Sequence, residues 1–377
     1  MFNSHKLKNI KNKILFTYLV AFGKTGGLEK VNRTILKCLS ISNRLKVDSW
    51  SLYDNDIDSK YFPTSNFRGF ANSKVKFVLQ LILNSRTWNT IIVGHINLAF
   101  AIRIMKMLNP RLKIILIVHG IEVWEILPSS KLWLIQNADR IISVSKFTGD
   151  CIVEKHQVLA SRISILHNCL DPFFPTEFLK DKPAYLFERY DLPVNTKIVL
   201  TVTRINENEG RKGYDLILKS LSSILKKQPE ISFHYVLCGK YSIIEFQRLS
   251  TMISEYNLTN YVSITGFIKE EELVDHYRLA DIYVMPSKKE GFGMVYIEAA
   301  ACGLQVIAGN ADGSAEALMN GKIGHLVNPD NDNEIYDKLL ELLQNPISKS
   351  KEISDKVYLQ YNFETYKERL LNVIEEV

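Results

Sequence analysis

Two glutamates bracket a glycine-rich bend in the second half of the sequence. Glu290 precedes the bend and Glu298 follows it, with seven residues between them. Carboxylates repel phosphate but accept hydrogen bonds from hydroxyl groups, so both suit sugar hydroxyls. A helix that begins after the bend leaves amides unpaired, and these can hold a phosphate. The order of hydroxyl, phosphate and hydroxyl contacts predicts a nucleotide-sugar site. The predicted donor contacts in the bend are Gly291, Phe292, Gly293, Met294 and Val295.

The bend requires a strand before it and a helix after it. The segment Asp281–Ser287 is apolar and rich in β-branched residues, which predicts a buried strand. From Met294 onward the sequence favours helix, and Gly303 is placed to end that helix. Glu290 is therefore expected on the loop, and Glu298 about one turn into the helix.

Two cations follow the first predicted strand of the second half. Arg204 ends that strand, and Lys212 comes eight residues later, directly before Gly213. Positive charges at this strand end would neutralise a leaving diphosphate without a metal ion. The neighbouring Arg211 could take the role of Lys212, and the sequence leaves this choice open. We expect no metal and no other cofactor.

The first half contains two further candidates at predicted strand ends. Gly26 and Gly27 open a helix, where the backbone can approach a diphosphate closely. The chain lacks G-x-G-x-x-G and P-loop motifs at this turn, which argues against dinucleotide and Walker-type sites. His119 follows a strongly apolar strand. A plain strand–helix turn and a structural histidine are the alternatives at these positions.

Strands and helices alternate through both halves, which predicts α/β domains with parallel sheets covered on both faces. Ligands of such sheets bind beyond the carboxyl ends of the strands. The strands predicted in the first half are Ile14–Val20, Leu45–Tyr53, Thr90–Gly94, Lys113–His119, Arg140–Val144 and Ser161–Leu166.

Charge is divided unevenly between the halves. Residues 1–170 contain 24 Lys and Arg against 10 Asp and Glu, a net charge of +14. The remainder contains 23 basic and 31 acidic residues, a net charge of −8 that completes the total of +6. An anionic surface is therefore expected to meet only the first half. A basic stripe of Lys30, Arg33 and Lys37 on the helix after Gly27 is one candidate, with an ordinary solvated helix face as the alternative.

Cysteine usage and hydropathy indicate the compartment. The five cysteines show no C-x-x-C spacing, which fits a reduced cytosolic chain and offers no zinc site. The basic residues Lys6, Lys8, Lys11 and Lys13 accompany a short apolar run that resembles a signal peptide but lacks a cleavage site. No stretch reaches the roughly 18 apolar residues of a membrane span. We expect a protein that is soluble or peripheral, at the cytoplasmic face of a membrane.

These motifs resemble the retaining glycosyltransferases of family 4, the group 1 glycosyltransferases, which have the GT-B fold. The resemblance rests on the two glutamates around G-F-G, the continuation EAAACGLQVIA, and the G-G-L-E-K turn. It covers nearly the whole chain from Ile14, and is thin between Ser51 and Asn89. Cys169 stands where the family usually has glycine, and Gln305 where proline is common.

The resemblance implies two Rossmann-like domains that face each other across a cleft. Residues 1–172 would form the acceptor side, with a C-terminal helix at about 361–377 packing back on it, and residues 173–360 would bind the nucleotide-sugar. Glu290 would hold the sugar and Glu298 the ribose. The implied catalytic residues are Glu290, Arg204, Lys212 and His119, and the remaining donor-binding residues are Gly27, Gly266, Phe267, Ile268 and Glu298.

The implied activity is that of a hexosyl- or other glycosyltransferase, retaining and independent of metal. It would move a sugar from a nucleotide-diphosphate donor to a glycan or lipid-linked acceptor in cell-surface polysaccharide biosynthesis. We expect an anionic membrane surface as a partner, and no nucleic acid. The alternatives are a nucleotide-sugar epimerase, a sugar phosphorylase of the same fold, or a noncatalytic nucleotide-sugar-binding subunit. The sequence leaves the sugar, the base and the acceptor open.

Overall fold

The computed structural model describes residues 13–43, 45–178, 180–193, 195–345 and 348–377. The basic residues Lys6, Lys8 and Lys11 lie outside these ranges. The chain divides into two compact units. Unit 1 comprises Met1–His167 with Phe363–Val377, and unit 2 comprises Asn168–Asn362. The prediction of an α/β fold with two parallel sheets is confirmed.

A seven-stranded parallel sheet forms the centre of unit 1, in the order β3-β2-β1-β4-β5-β6-β7. The strands are β1 Lys13–Tyr18, β2 Lys46–Ser51, β3 Phe67–Gly69, β4 Thr90–Val93, β5 Lys113–Val118, β6 Arg140–Ser143 and β7 Ile163–Ile165. The helices are α1 Gly27–Ser40, α2 Lys74–Leu83, α3 Ala99–Leu108, α4 Ser129–Asn137 and α5 Lys146–His156. Right-handed crossovers place α2 to α5 on one face of the sheet and α1 on the other. The short edge strand β3 was not predicted from the sequence.

Unit 2 is built around a six-stranded parallel sheet in the order β10-β9-β8-β11-β12-β13. The strands are β8 Lys197–Val202, β9 Phe233–Cys238, β10 Val262–Gly266, β11 Ile282–Met285, β12 Gln305–Gly309 and β13 His325–Val327. The helices are α6 Ala184–Arg189, α7 Tyr214–Lys227, α8 Ile243–Glu255, α9 Glu270–Leu279, α10 Met294–Ala301, α11 Ser314–Ala317, α12 Asp332–Gln344 and α13 Lys351–Gln360. In both sheets the order reverses beside the first strand, which is the place where such sheets bind ligands.

The last helix, α14 (Phe363–Glu375), belongs to unit 1 and packs against α1. Its stripe of Tyr366, Leu370 and Ile374 is buried, as the amphipathic pattern requires.

All four tryptophans of the chain lie in unit 1, and they are Trp50, Trp88, Trp124 and Trp133.

The basic stripe predicted on α1 is not an open surface. Arg33 is only 6% exposed, and its guanidinium lies 5.6 Å from the centre of the Tyr61 ring. Lys37 donates a hydrogen bond to the Lys60 carbonyl at 2.7 Å. The segment that follows β2 covers this side of α1. Its aromatic residues Tyr61 and Phe62 are buried there, as large apolar rings usually are. The prediction that this stripe meets an anionic surface is therefore wrong for Arg33.

Within the described ranges, no helix combines the length and apolar character needed to span a bilayer.

A buried carboxylate fixes the loop that follows β1. Asp54 accepts hydrogen bonds from the amides of Ala21, Phe22 and Gly23 at 2.7, 3.0 and 2.7 Å. The hydroxyl of Ser51 donates to the same carboxylate at 2.7 Å. Three converging amides form the kind of concave site that usually holds an anion, and here the protein supplies that anion itself.

We expect Asp54→Ala to lower the free energy of unfolding of unit 1 by about 3 kcal/mol, because three amides lose a charged acceptor. Hydrogen exchange at residues 20–24 should accelerate, as peptide mass spectrometry would detect. Asp56→Ala is the matched control, because Asp56 is an exposed carboxylate in the segment after β2 that also contains Asp54. Equal exchange rates in the two variants would contradict the role given to Asp54.

Candidate functional site

The predicted order of strand, bend and helix is present between β11 and α10. Gly293 has a φ of 91°, and a Cβ at this position would lie 2.3 Å from the ring of Tyr296. Only glycine fits such a bend without strain. Because α10 begins at Met294, directly after the bend, the amides of its first turn face the bend region.

Two side chains of the bend point into unit 2. Phe292 is buried and meets the Tyr361 ring edge-on, with 5.6 Å between the ring centres. Met294 is also buried. Any contact of these two residues with a donor must therefore come from their backbone atoms.

Lys212 and Glu290 form an ion pair in which Lys212 Nζ contacts Glu290 Oε1. Their side chains are only 13% and 14% exposed. Partial burial strengthens this attraction relative to an open surface pair. The turn that carries Lys212 is held in place because the Lys288 amide donates to the Arg211 carbonyl at 2.9 Å. The structure thus joins a cation and a carboxylate that lie far apart in the sequence.

A buried carboxylate holds the two arginines of the loop after β8. Glu209 Oε1 lies 3.3 Å from Arg204 Nη2, and Glu209 Oε2 lies 2.9 Å from Arg211 Nη2. Arg211 also donates to a carbonyl of its own loop at 2.7 Å, while the Arg204 side chain is largely exposed. Of the two cations that the sequence left open, Lys212 is the one that contacts Glu290.

Asp312 fixes the backbone of Glu290. The Glu290 amide donates to Asp312 Oδ2 at 2.5 Å, and the Ser314 amide donates to Asp312 Oδ1 at 2.9 Å. The Gly313 amide in turn donates to the Glu290 carbonyl at 3.0 Å. A Cβ on Gly313 would lie 2.1 Å from the Gly291 carbonyl oxygen, so only glycine allows this approach. Burial raises the pKa of Asp312 to about 6.

Glu298 lies in a different environment from Glu290. Its side chain is fully buried on α10, and Glu298 Oε2 accepts a hydrogen bond from the Tyr277 hydroxyl at 2.9 Å. Burial, reinforced by the charge of Glu298, raises the pKa of Tyr277 well above its usual range. Tyr277 therefore stays a hydrogen-bond donor. The ribose contact of Glu298 stays a prediction, and it requires this oxygen or its neighbour to become accessible.

The predicted donor contacts Gly266, Phe267 and Ile268 lie at the end of β10 and directly after it. Gly266 has a φ of 75°, and its carbonyl accepts a hydrogen bond from the Gly239 amide at 2.9 Å. Phe267 is exposed, and Ile268 is half-buried. The ring of Tyr241 lies against Gly266, since a Cβ there would be 3.5 Å from it. An exposed backbone turn beside an aromatic ring can bind a flat base.

In unit 1, two histidines stand at the ends of adjacent strands. His119 Nε2 lies 2.9 Å from the Gly94 carbonyl, and the His119 amide donates to Glu122 Oε1 at 2.5 Å. His95 follows β4, and its ring is stacked on that of His119 with 6.4 Å between the centres. Burial lowers the pKa of His95 to about 4, although the charge of Glu122 opposes the shift. His95 is therefore neutral near pH 7.

The predicted donor contact at Gly27 lies at the first residue of α1. The carboxylate of Glu29 folds over this end of the helix, because a Cβ on Gly26 would lie 2.6 Å from Glu29 Oε2. The amides of the preceding loop are bound to Asp54. A diphosphate contact at Gly27 stays a prediction.

In unit 2 the structure joins Glu290, Lys212 and the bend, and it ties Arg204 to them through the Glu209 loop. His119 and Gly27 belong to unit 1. Two of the residues that the sequence analysis did not identify had a visible signal. His95 stands directly after the strand β4, and Asp312 begins a D-G-S sequence at a helix start. Within the ranges that the structure describes, there is no group of three or more His, Cys, Asp or Glu suited to a metal ion. The residues that sequence reasoning missed are Asp54, His95, Glu209, Tyr277 and Asp312.

Comparison with known proteins adds the family. Residues 185–360 match the family of glycosyl transferases group 1. A GDP-mannose-dependent alpha-(1-6)-phosphatidylinositol monomannoside mannosyltransferase from Mycolicibacterium smegmatis is 29% identical over 248 residues, which is 62% of each chain. A D-inositol 3-phosphate glycosyltransferase from Corynebacterium jeikeium is 33% identical over 40% of this chain and 36% of its own. The alignments thus span about 60% or less of these relatives' length.

Solved structures share the fold. Anabaena HepE in complex with UDP and glucose superimposes with a TM-score of 0.79 at 17% identity, covering 97% of this chain and 100% of its own. Sucrose-phosphate synthase from Thermosynechococcus elongatus gives a TM-score of 0.77 at 18% identity, with 97% and 99% coverage. The chain therefore has the GT-B fold, and its residues 185–360 are similar to the group 1 glycosyltransferases.

Proposed function

We propose that the chain transfers a sugar from a nucleotide-diphosphate donor to an acceptor hydroxyl, with retention of configuration and without a metal ion. The Lys212–Glu290 pair beside the first turn of α10 carries the proposal. It supplies a cation for phosphate and a carboxylate for hydroxyls beyond the ends of the neighbouring strands β8 and β11. The group 1 family match over residues 185–360 supports the same reaction class.

In the proposed reaction, the bond between the sugar C1 and the leaving diphosphate oxygen breaks. A bond between C1 and the acceptor oxygen forms on the same face of the sugar, and the acceptor proton passes to an oxygen of the leaving phosphate. Lys212 and Arg204 stabilise the charge that grows on the diphosphate. Glu290 accepts hydrogen bonds from the sugar hydroxyls and positions C1. Neither Glu290 nor Glu298 acts as a covalent nucleophile.

The proposed acceptor is a lipid-linked saccharide in cell-surface polysaccharide biosynthesis, met at the cytoplasmic face of the membrane. Two observations support this acceptor. One relative is named as a mannosyltransferase that acts on a phosphatidylinositol monomannoside. The net charge of +14 in residues 1–170 favours an anionic bilayer.

Removing either diphosphate cation should slow the transfer reaction. We expect Lys212→Ala and Arg204→Ala each to lower kcat/KM by on the order of 100-fold, because both act on leaving-group charge. The assay measures net transfer of sugar from a panel of UDP-, GDP- and ADP-sugars to an acceptor, with and without a chelator.

Lys288→Ala is the matched control, because Lys288 lies on the loop of Glu290 but pairs with Asp330. It should keep transfer within about threefold of the wild type. Full activity of Lys212→Ala, or loss of wild-type activity in the presence of chelator, would contradict the proposal that Lys212 and Arg204 stabilise the diphosphate without a metal ion. If the assay yields an isomerised donor or a sugar phosphate and no transferred sugar, the chain is an epimerase or a phosphorylase, and the proposed transfer is wrong.

The two glutamates should fail in different ways when each is changed to glutamine. Glu290→Gln should bind the free nucleotide diphosphate as the wild type does but transfer sugar at least about tenfold more slowly, because its partner is the sugar. Glu298→Gln should weaken binding of the free nucleotide. Calorimetry and transfer assays separate the two effects, and equal loss of nucleotide affinity in both variants would refute the assignment.

The pKa of Asp312, raised to about 6, should appear in the pH profile of transfer. Above that pH the ionised carboxylate accepts both amide hydrogen bonds. Below it the protonated group accepts less strongly, so the loop of Glu290 loosens and kcat falls. Asp312→Asn should be slower at every pH and lack this acid limb, whereas Asp330→Asn, an exposed control, should keep it. If kcat of Asp312→Asn falls at low pH as that of the wild type does, a group other than Asp312 causes the fall.

A further inference from the structure

A long segment of unit 1 contains no carboxylate. Between Asp58 and Glu122 the sequence has nine Lys and Arg residues and no Asp or Glu. The segment includes both α2 and α3. Surfaces formed by these two helices therefore carry only positive charge, which ordinary solvated helices balance with acidic residues.

The outward side of α2 is apolar. Phe77 and Leu81 point inward and are buried in the core of unit 1. On the opposite side Val75, Leu79 and Leu83 follow at intervals of four residues, and they are 73%, 53% and 75% exposed. A helix that is apolar on both sides needs a second apolar environment for its outward face.

The neighbouring helix α3 shows the same arrangement. Ala101, Ile102 and Met105 are buried, whereas Phe100 and Met107 on the other side are 63% and 71% exposed. Because α2 and α3 pack against each other on one face of the sheet, their outward sides adjoin. Together they form the α2–α3 face, defined here by Val75, Leu79, Leu83, Phe100 and Met107.

Basic side chains flank the α2–α3 face. Lys74 and Lys76 are exposed on α2. On α3 the exposed Arg103 lies between Phe100 and Met107 in the sequence. Apolar side chains at the centre with cations around them match the interface of an anionic bilayer, where the apolar groups enter the acyl region and the cations meet lipid phosphates.

We propose that the α2–α3 face docks unit 1 on an anionic lipid bilayer. This surface takes the role that the sequence assigned to the α1 stripe, which is covered around Tyr61. The inference rests on the proposed membrane location and gives it a surface, but it does not depend on the chemistry of sugar transfer. A second copy of the chain or another protein is less favoured, because the face carries cations and no carboxylates to pair with them.

The test measures binding of the full chain to vesicles of phosphatidylglycerol and phosphatidylcholine by flotation. Wild type should bind mixed anionic vesicles at least about tenfold more tightly than pure phosphatidylcholine, and raised salt should weaken the binding. Leu83→Glu, and the double variant Lys74→Glu/Lys76→Glu, should each weaken anionic binding by about tenfold or more.

Matched controls lie in unit 2. Leu359 is 79% exposed near the end of α13, as Leu83 is at the end of α2, so Leu359→Glu makes the same chemical change elsewhere. Lys226→Glu/Lys227→Glu repeats the charge reversal on α7. Each control changes the net charge of the chain by the same amount as the variant it matches. Both controls should bind anionic vesicles nearly as tightly as the wild type does. Every variant should keep its nucleotide-induced rise in melting temperature, which shows that unit 2 is intact.

Vesicle binding that is absent in wild type, or equal in Leu83→Glu and Leu359→Glu, would overturn the α2–α3 face while leaving the transfer reaction standing. Sugar transfer that fails in a protein which still binds vesicles through this face would overturn the proposed function alone. A concentration-dependent dimer that Leu83→Glu dissociates, measured by sedimentation velocity, would assign the face to a second copy and refute the bilayer.

Discussion

The ion pair of Lys212 and Glu290 joins the loop after β8 to the loop after β11, and the candidate site in unit 2 depends on it. Two charges that are mostly withdrawn from water lose hydration, and they repay this only when their geometry is fixed. The surrounding structure supplies that fixation. Asp312 holds the Glu290 amide, and Gly213, with a φ of 81°, brings the turn of Lys212 against Pro286. A larger residue at Gly213 would meet the Pro286 carbonyl oxygen at 2.7 Å and separate the pair.

Buried carboxylates position loops at several strand ends of this chain. Asp54 binds three amides after β1, and Glu209 binds two arginines after β8. Asp312 binds one amide after β11 and one after β12. In each case the carboxylate holds its loop through these hydrogen bonds or ion pairs. The loops are thereby ordered before any donor arrives, so that binding need not provide the free energy of ordering them.

The parts of the structure that could be predicted depend on local sequence. The strands β4, β5 and β11 are short apolar runs, and Gly293 sits where a chain must turn without side-chain bulk, so pattern and composition were sufficient. The group 1 family and the GT-B fold followed from the motifs around them. Asp54 bonds the Ala21 amide 33 positions away, and Asp312 bonds the Glu290 amide 22 positions away. No periodicity in the sequence predicts such partners. The prediction for Arg33 on α1 was wrong for the same reason, since helix periodicity identifies a polar side but not the Tyr61 segment that covers Arg33.

The location of the tryptophans gives the two units different optical signatures. Trp50, Trp88, Trp124 and Trp133 all lie in unit 1, whereas the aromatic rings around Glu298 are tyrosines such as Tyr277, Tyr283 and Tyr296. Emission excited at the red edge of the protein absorption band therefore originates in unit 1 alone. A nucleotide that binds only within unit 2 leaves that emission unchanged. Any change in it reports that the presence of the nucleotide has altered the surroundings of an indole in unit 1.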